Sequence, residues 1–159
     1  MASESALTGH LVLSTLHTNS AASTVTRLLE IGIAPYLVNA TLIGVLAQRL
    51  ARRNCKHCLV DEDVPDHVRQ GLGLDPNESF KVGKGCNQCN DRGFAGRIAV
   101  YELLEVTASL RRLIKPAVAA QDIEEQARMD GMRPLTEGAL ELARQGIISL
   151  AEVYRVRLE

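Results

Sequence analysis

Four cysteines, Cys55, Cys58, Cys86 and Cys89, fall in two Cys-x-x-Cys pairs that read CKHC and CNQC. A tight turn of this kind aims two sulfurs at one point. Two such turns a small subdomain apart have the ligand spacing of a tetrahedral four-thiolate zinc site. All four cysteines of the chain sit in these pairs, so no thiol is left for another task. Two disulfides or a redox dithiol are the competing readings. A disulfide within one pair would close a very small loop and constrain the chain little, and no secretory signal points to an oxidising compartment. The expectation is therefore one Zn²⁺ held by Cys55, Cys58, Cys86 and Cys89. Four thiolates leave no open position for water or substrate, which makes that metal structural. His57 and His67 are spare nitrogen ligands that read more simply as solvated loop residues.

A second group that could do chemistry is the polar run Ser14-Thr15-Leu16-His17-Thr18-Asn19. In extended backbone Thr15 and His17 project to the same side. A hydroxyl and a neutral imidazole placed together can hydrogen-bond a phosphate oxygen or an attacking water. The simpler alternative is that these residues satisfy backbone at a strand-to-helix turn and cap the helix that follows. Neither Gly-x-x-x-x-Gly-Lys-Ser/Thr nor Gly-x-Gly-x-x-Gly occurs, and no acidic Mg²⁺ site stands out. The chain alone is thus expected not to hydrolyse nucleotide.

The elements that must position these groups come next. Leu11 to Leu16 is a short apolar run of the kind buried on both faces in a parallel sheet. A helix is expected from Ser20 to Ile31, with Asn19 as N-cap, Val25, Leu28 and Leu29 on one face, and Gly32 as the stop. Pro35 should open a second helix reaching about Arg53, with Arg49, Arg52 and Arg53 at the negative end of its dipole. After the cysteine segment, IAVYELL to Leu104 reads as a second buried strand. From Thr107 the period becomes helical. Helices capped by Thr107, running from Ala120 to Asp130, opened by Pro134 and started at a Ser149/Glu152 capping box form a compact four-helix tail. Loss of the metal is expected to loosen residues 55–96 and spare that tail.

Two buried-type strands separated by the whole cysteine segment cannot make a stable sheet alone. The chain therefore reads as the trailing half of an α/β domain whose other strands lie upstream. Met1 to Ser5 and Leu158-Glu159 read as a linker and a cloning scar.

Composition bounds the class without naming an activity. The 159 residues are 46% hydrophobic and 23% charged, with a formal net charge of -1. That balance gives no bulk attraction to nucleic acid or an anionic membrane. No apolar run is long enough to span a bilayer. Aromatic residues are 3% and Trp is absent, so a base-stacking platform is hard to build. Arg49, Arg52, Arg53, Lys56, Lys81 and Lys84 around the cysteine pairs keep one alternative open, a zinc-ribbon nucleic-acid or adaptor module.

The run ALTGHLVLSTLHTNSA (Ala6 to Ala21), continued by TRLLEIGIAPYLVNATLIGVLAQRLARRNCKHC, resembles the histidine-box region of the ATPases that power bacterial type II secretion and type IV pilus assembly. GCNQCNDRGFAGRIAVYELLEV (Gly85 to Val106) resembles the second half of their tetracysteine segment and the strand after it. The resemblance implies the C-terminal part of a RecA-like P-loop ATPase core, an inserted four-cysteine zinc subdomain and a helical C-terminal domain. On this chain those correspond to 1–54 with the returning strand 97–106, to 55–96, and to 107–159. It implies His10 and His17, with Thr15 between them, near nucleotide or subunit interface in the full-length protein, and Cys55, Cys58, Cys86 and Cys89 as zinc ligands. It also implies ATP and Mg²⁺ as cofactors of the whole protein and a homohexamer at the cytoplasmic face of the inner membrane. The implied partners are a membrane platform protein and the cytoplasmic domain of its membrane recruiter, with no nucleic acid. The family's Walker A loop, acidic box and Walker B strand have no counterpart in this sequence. The tetracysteine segment argues against the related retraction ATPases.

Overall fold

The computed structural model describes residues 2–158, with the side chain of Leu158 set aside. Met1 and Glu159, expected as parts of a linker and a scar, lie outside the described residues. The chain forms eight α-helices and four strands among these residues and divides into two compact units, 1–47 with 102–134 and 48–101 with 135–159.

Unit one opens with α1 (Ala2–Leu7), followed by a stretch without regular structure through residue 18. The expected strand over Leu11 to Leu16 is absent there: Leu11 is 76% and Leu13 89% exposed. An apolar run becomes a strand only where a neighbour takes up its N–H and C=O groups, and none is present among the described residues. Helix α2 (Ala21–Glu30) starts one residue later than its expected cap. Ser20 Oγ, not Asn19, accepts from the Ser23 N–H, and the Ala21 N–H goes to the buried Glu102 carboxylate at 2.7 Å. Helix α3 (Pro35–Thr41) opens at Pro35 as expected, but it stops at Leu42, whose ψ of 121° is extended.

The residues expected to continue that helix to Arg53 form instead the strand β1 (Gly44–Asn54). Leu, Ala, Gln and Arg favour helix intrinsically, yet propensity is worth only tenths of a kcal/mol per residue. Strand β4 (Phe94–Glu105), with Ile98, Val100 and Tyr101 at its centre, offers a ladder instead, and β1 pairs with it. Val106 N–H donates to Ile43 C=O at 3.0 Å, and Cys55 N–H to Gly93 C=O at 2.8 Å. The start of β1 thus meets the end of β4, and the pair is antiparallel. Only one face of β4 is buried, through Val100, Glu102 and Leu104, whereas Tyr101 and Leu103 are exposed. The expected strand over IAVYELL is present but half-buried, the alternation natural to an antiparallel ribbon.

The remaining helices fall where the caps and stops of the sequence put them: α5 (Ala108–Leu113, capped by Thr107), α6 (Ala120–Met129), α7 (Leu135–Arg144) and α8 (Leu150–Leu158). They do not form one tail. Helices α5 and α6 belong to unit one, α7 and α8 to unit two. Unit one buries Ala21, Val25, Val38, Leu104, Leu110, Ile114 and Ile123 in a common core.

Unit two holds the cysteine segment. Between the two cysteine pairs lie β2 (Leu59–Asp61), α4 (Asp66–Leu72) and β3 (Lys81–Gly83). Its core joins Val64, Leu74 and Phe80 from this segment to Ala51, Val100, Ala139, Ala143, Ile148, Leu150 and Val153. Phe80 is its largest side chain, 1% exposed.

Candidate metal centre

The short ribbon β2–β3 brings the two pairs of cysteines together. Its antiparallel register sets Leu59 opposite Gly83 and Val60 opposite Val82. One step further along, Lys84 N–H donates to Cys58 C=O at 2.9 Å. The first pair therefore ends where the second begins. After Cys86, a 3₁₀ turn (Asn87–Cys89) folds the second pair back on itself.

All four sulfurs lie within 4.8 Å of one another. Cys55 and Cys86 are 3.9 Å apart, Cys58 and Cys89 4.0 Å, and Cys86 and Cys89 3.8 Å. Disulfide sulfurs would be about 2.05 Å apart. A tetrahedron of thiolates about 2.3 Å from a central Zn²⁺ has edges of about 3.8 Å. The donor set and its spacing fit that ion. Backbone N–H groups stabilise negative sulfur here: Gly85 donates to Cys58 Sγ at 3.3 Å, and Cys86 and Gly93 each donate to Cys89 Sγ at 3.2 Å. Without a metal the two thiols diverge. Burial pushes Cys58 up to about 11, whereas at Cys89 the same upward push is outweighed by the Cys86 and Gly93 N–H groups, which bring it down to about 7. Such a site can hold an ion and fix the ribbon around it; with four protein ligands it offers no place for a substrate.

Two glycines let the backbone close around the sulfurs. A Cβ on Gly83 would stand 1.8 Å from the Gly93 carbonyl oxygen, and one on Gly93 2.2 Å from that of Gly83. Backbone cannot step aside as a side-chain tip can. Gly83→Ala is expected to lower stability by about 3 kcal/mol and to weaken zinc affinity, measured by chemical denaturation and competitive chelation. Wild-type affinity in that variant would show that the close approach does not set the ligand geometry.

The other expected site residues are not gathered in this way. His10, Thr15 and His17 all lie exposed in the irregular stretch before α2. His10 Nδ1 is 3.0 Å from Thr8 Oγ1 and 3.3 Å from Ser5 C=O, contacts local to its own turn. A buried group that sequence reasoning missed is Glu102, whose carboxylate reaches across 81 positions to the start of α2. A lone Glu in an apolar strand was its only signal. Of the basic residues around the cysteines, Arg52 pairs with Glu152 and Lys81 with Asp61. His57 and His67 stay outside the cluster of candidate ligands.

Compared with known families, residues 1–155 match the model of the Type II/IV secretion system protein. The chain belongs to that family. Among curated relatives of this secretion-family chain, the Type IV pilus assembly ATPase PilB of Thermus thermophilus is 45% identical over 163 residues, covering 100% of this chain and 18% of the relative. The Type II secretion system ATPase E of Vibrio cholerae is 40% identical over 161 residues, covering 100% of this chain and 32% of the relative. The secretion-family chain thus spans between about a fifth and a third of the length of these two proteins. Among solved structures, the pilus retraction motor PilT with bound ADP superposes with a TM-score of 0.58 at 22% identity, over 96% of this chain and 35% of that one. That likeness establishes the α/β fold. No helix among the described residues is long and apolar enough to cross a membrane.

Proposed function

We propose that this chain is the C-terminal portion of a hexameric ATPase with a RecA-like core, cytoplasmic and peripheral to the inner membrane. In the whole protein, hydrolysis of ATP with Mg²⁺ would drive assembly of pilin or pseudopilin subunits through a membrane platform, with a membrane recruiter's cytoplasmic domain as second partner. The observation that carries this reading is the match of the full chain, at 45% and 40% identity, to an ATPase of each branch. Within it, Cys55, Cys58, Cys86 and Cys89 hold a structural Zn²⁺ that closes the inserted segment 55–96. Residues 97–106 return to the core, followed by α5 and α6 on the core side and by α7 and α8 beside the inserted segment. The exposed apolar run Leu11 to Leu16 supports the reading too, since such a run becomes a strand once neighbours cover it. His10, Thr15 and His17 would then sit at the end of that strand, where hydrogen-bonding groups can orient phosphate or water.

Metal analysis after purification without chelator, together with ATPase assays of this chain and of the full-length protein, tests the proposal. The expected result is one zinc per chain, no turnover by the chain alone, and turnover by the whole protein that falls on His17→Ala. A chain that hydrolyses ATP unaided, or that holds well under one zinc, would contradict it.

A further inference from the structure

Unit two carries a cleft of about 480 Å³ lined by Arg52, Arg92, Phe94, Ala95, Gly96 and Arg97. That volume falls within the roughly 300–1,000 Å³ of small-molecule sites. Three arginines line the cleft and no acidic residue does. Arg52 has an acidic partner, Glu152, which also accepts from Arg155. Arg52 is also stacked over the Phe94 ring, 4.2 Å from its centroid, which fixes that wall. Arg92 donates through Nε to the Cys89 carbonyl at 3.2 Å, a contact that orients the side chain without cancelling its charge. Among the described residues neither Arg92 nor Arg97 has a carboxylate at ion-pair distance, neighbouring Asp91 included.

An excess of positive charge in a concave site selects for anions. Guanidinium forks grip phosphate and carboxylate oxygens two at a time. The number of uncompensated cations decides between these. One carboxylate would leave one of Arg92 and Arg97 unbalanced, whereas two linked phosphates offer each of them its own anionic group. The small volume also favours a compact ligand over a flat macromolecular face. We propose that the Arg52–Arg92–Arg97 cleft binds a soluble diphosphate group, with Arg92 and Arg97 as the gripping residues and the Arg52–Phe94 stack as the wall. The site is built from residues other than the four candidate zinc ligands and stands independently of the function proposed above.

Titration of the ¹⁵N-labelled chain with pyrophosphate, followed by amide shifts, tests it. Zinc content is measured before and after, because pyrophosphate itself binds zinc. The expected result is saturable shifts confined to residues 92–97 and the Arg52 region, with zinc retained and affinity falling as salt rises. Removing one charge-assisted contact by Arg97→Ala should weaken binding about tenfold, and Arg97→Lys should recover part of the loss. Arg97 lies exposed on β4, so its replacement leaves the cysteine turns intact; Arg92→Ala serves as a second variant with its zinc content checked. Absent shifts, shifts that track zinc loss, affinity unchanged in both alanine variants, or binding to phosphatidylglycerol vesicles without binding to pyrophosphate would each overturn the proposal.

Discussion

Removing the proposed zinc, by chelation or by Cys86→Ser, is expected to unfold the whole of unit two, helices α7 and α8 included. The sequence alone suggests a local effect on residues 55–96, but the packing says otherwise. Val64, Leu74 and Phe80 from the segment between the cysteine pairs share one core with Ala139, Ala143, Ile148 and Val153 of the last two helices and their connection. Polar links reinforce it. Asn54, the residue before Cys55, donates its N–H to Ile147 C=O at 2.8 Å and its Nδ2 to Lys81 C=O at 2.8 Å and Gly146 C=O at 3.1 Å. Glu62, just beyond β2, accepts from the Leu150 N–H at 2.8 Å and so caps α8. Structural zinc binding contributes about 10–16 kcal/mol in small peptides, as much as the entire stability of an ordinary domain, about 5–15 kcal/mol. The unit cannot lose that and keep its helices. Hydrogen exchange reads the outcome. Amides of residues 135–157 should lose protection together with those of 55–93, while α2 and α6 of unit one keep theirs. Protection retained in α7 and α8 after complete zinc loss would refute the shared core.

The second large effect is expected at Glu152. Its side chain is 0% exposed and accepts from Arg52 N–H at 2.8 Å, Arg52 Nε at 2.9 Å, Arg52 Nη2 at 2.6 Å and Arg155 Nη2 at 3.0 Å. Burial alone would raise its carboxyl, but the hydrogen bonds from Arg52 and Arg155 outweigh burial and bring it down from 4.5 to about 2. The two arginines are partly exposed and can rehydrate, so Glu152→Ala is expected near the lower end for breaking a buried pair, about 3 kcal/mol. The pH dependence has a definite sign. A folded-state value depressed below the unfolded one means stability present above about pH 4.5 and lost as pH falls toward 2. Glu152→Gln keeps the shape without the charge and should remove that part of the acid dependence. Urea denaturation of wild type and both variants between pH 7 and pH 3 measures it. Equal stability at pH 7, or parallel acid profiles, would show that the carboxylate contributes little.

How much of this was legible in the sequence depended on the range of the interaction. The cysteine spacing was readable because each pair is a local turn with a fixed chemical demand. The caps at Thr107 and Ser149 and the stops at Gly32, Gly131 and Gly146 were readable for the same reason. Elements whose state is set by a distant partner were not. Residues 44–54 have the propensity of a helix and became a strand because β4 offered a ladder; the small inward residues Val45, Ala47 and Ala51 were the faint period-two signal. Leu11 to Leu16 has the composition of a strand and is not one, since no strand among the described residues pairs with it. Glu152 looked like half of a capping box. Ser149 does sit at that helix start, with Glu152 N–H 3.4 Å from its Oγ, but the Glu152 carboxylate turns to Arg52, a hundred residues upstream.

The division of unit two into 48–101 and 135–159, with a stretch of unit one between, sets an order on events at the ribosome. Both cysteine turns and the ribbon that joins them are made before the last two helices, and the contacts that close them are local. An ion at the four-cysteine site, as proposed above, would therefore be captured early, while Val64, Phe80 and Val100 wait uncovered for Ile148 and Val153. Until α7 and α8 are made and emerge, that apolar surface stays open to association with other chains.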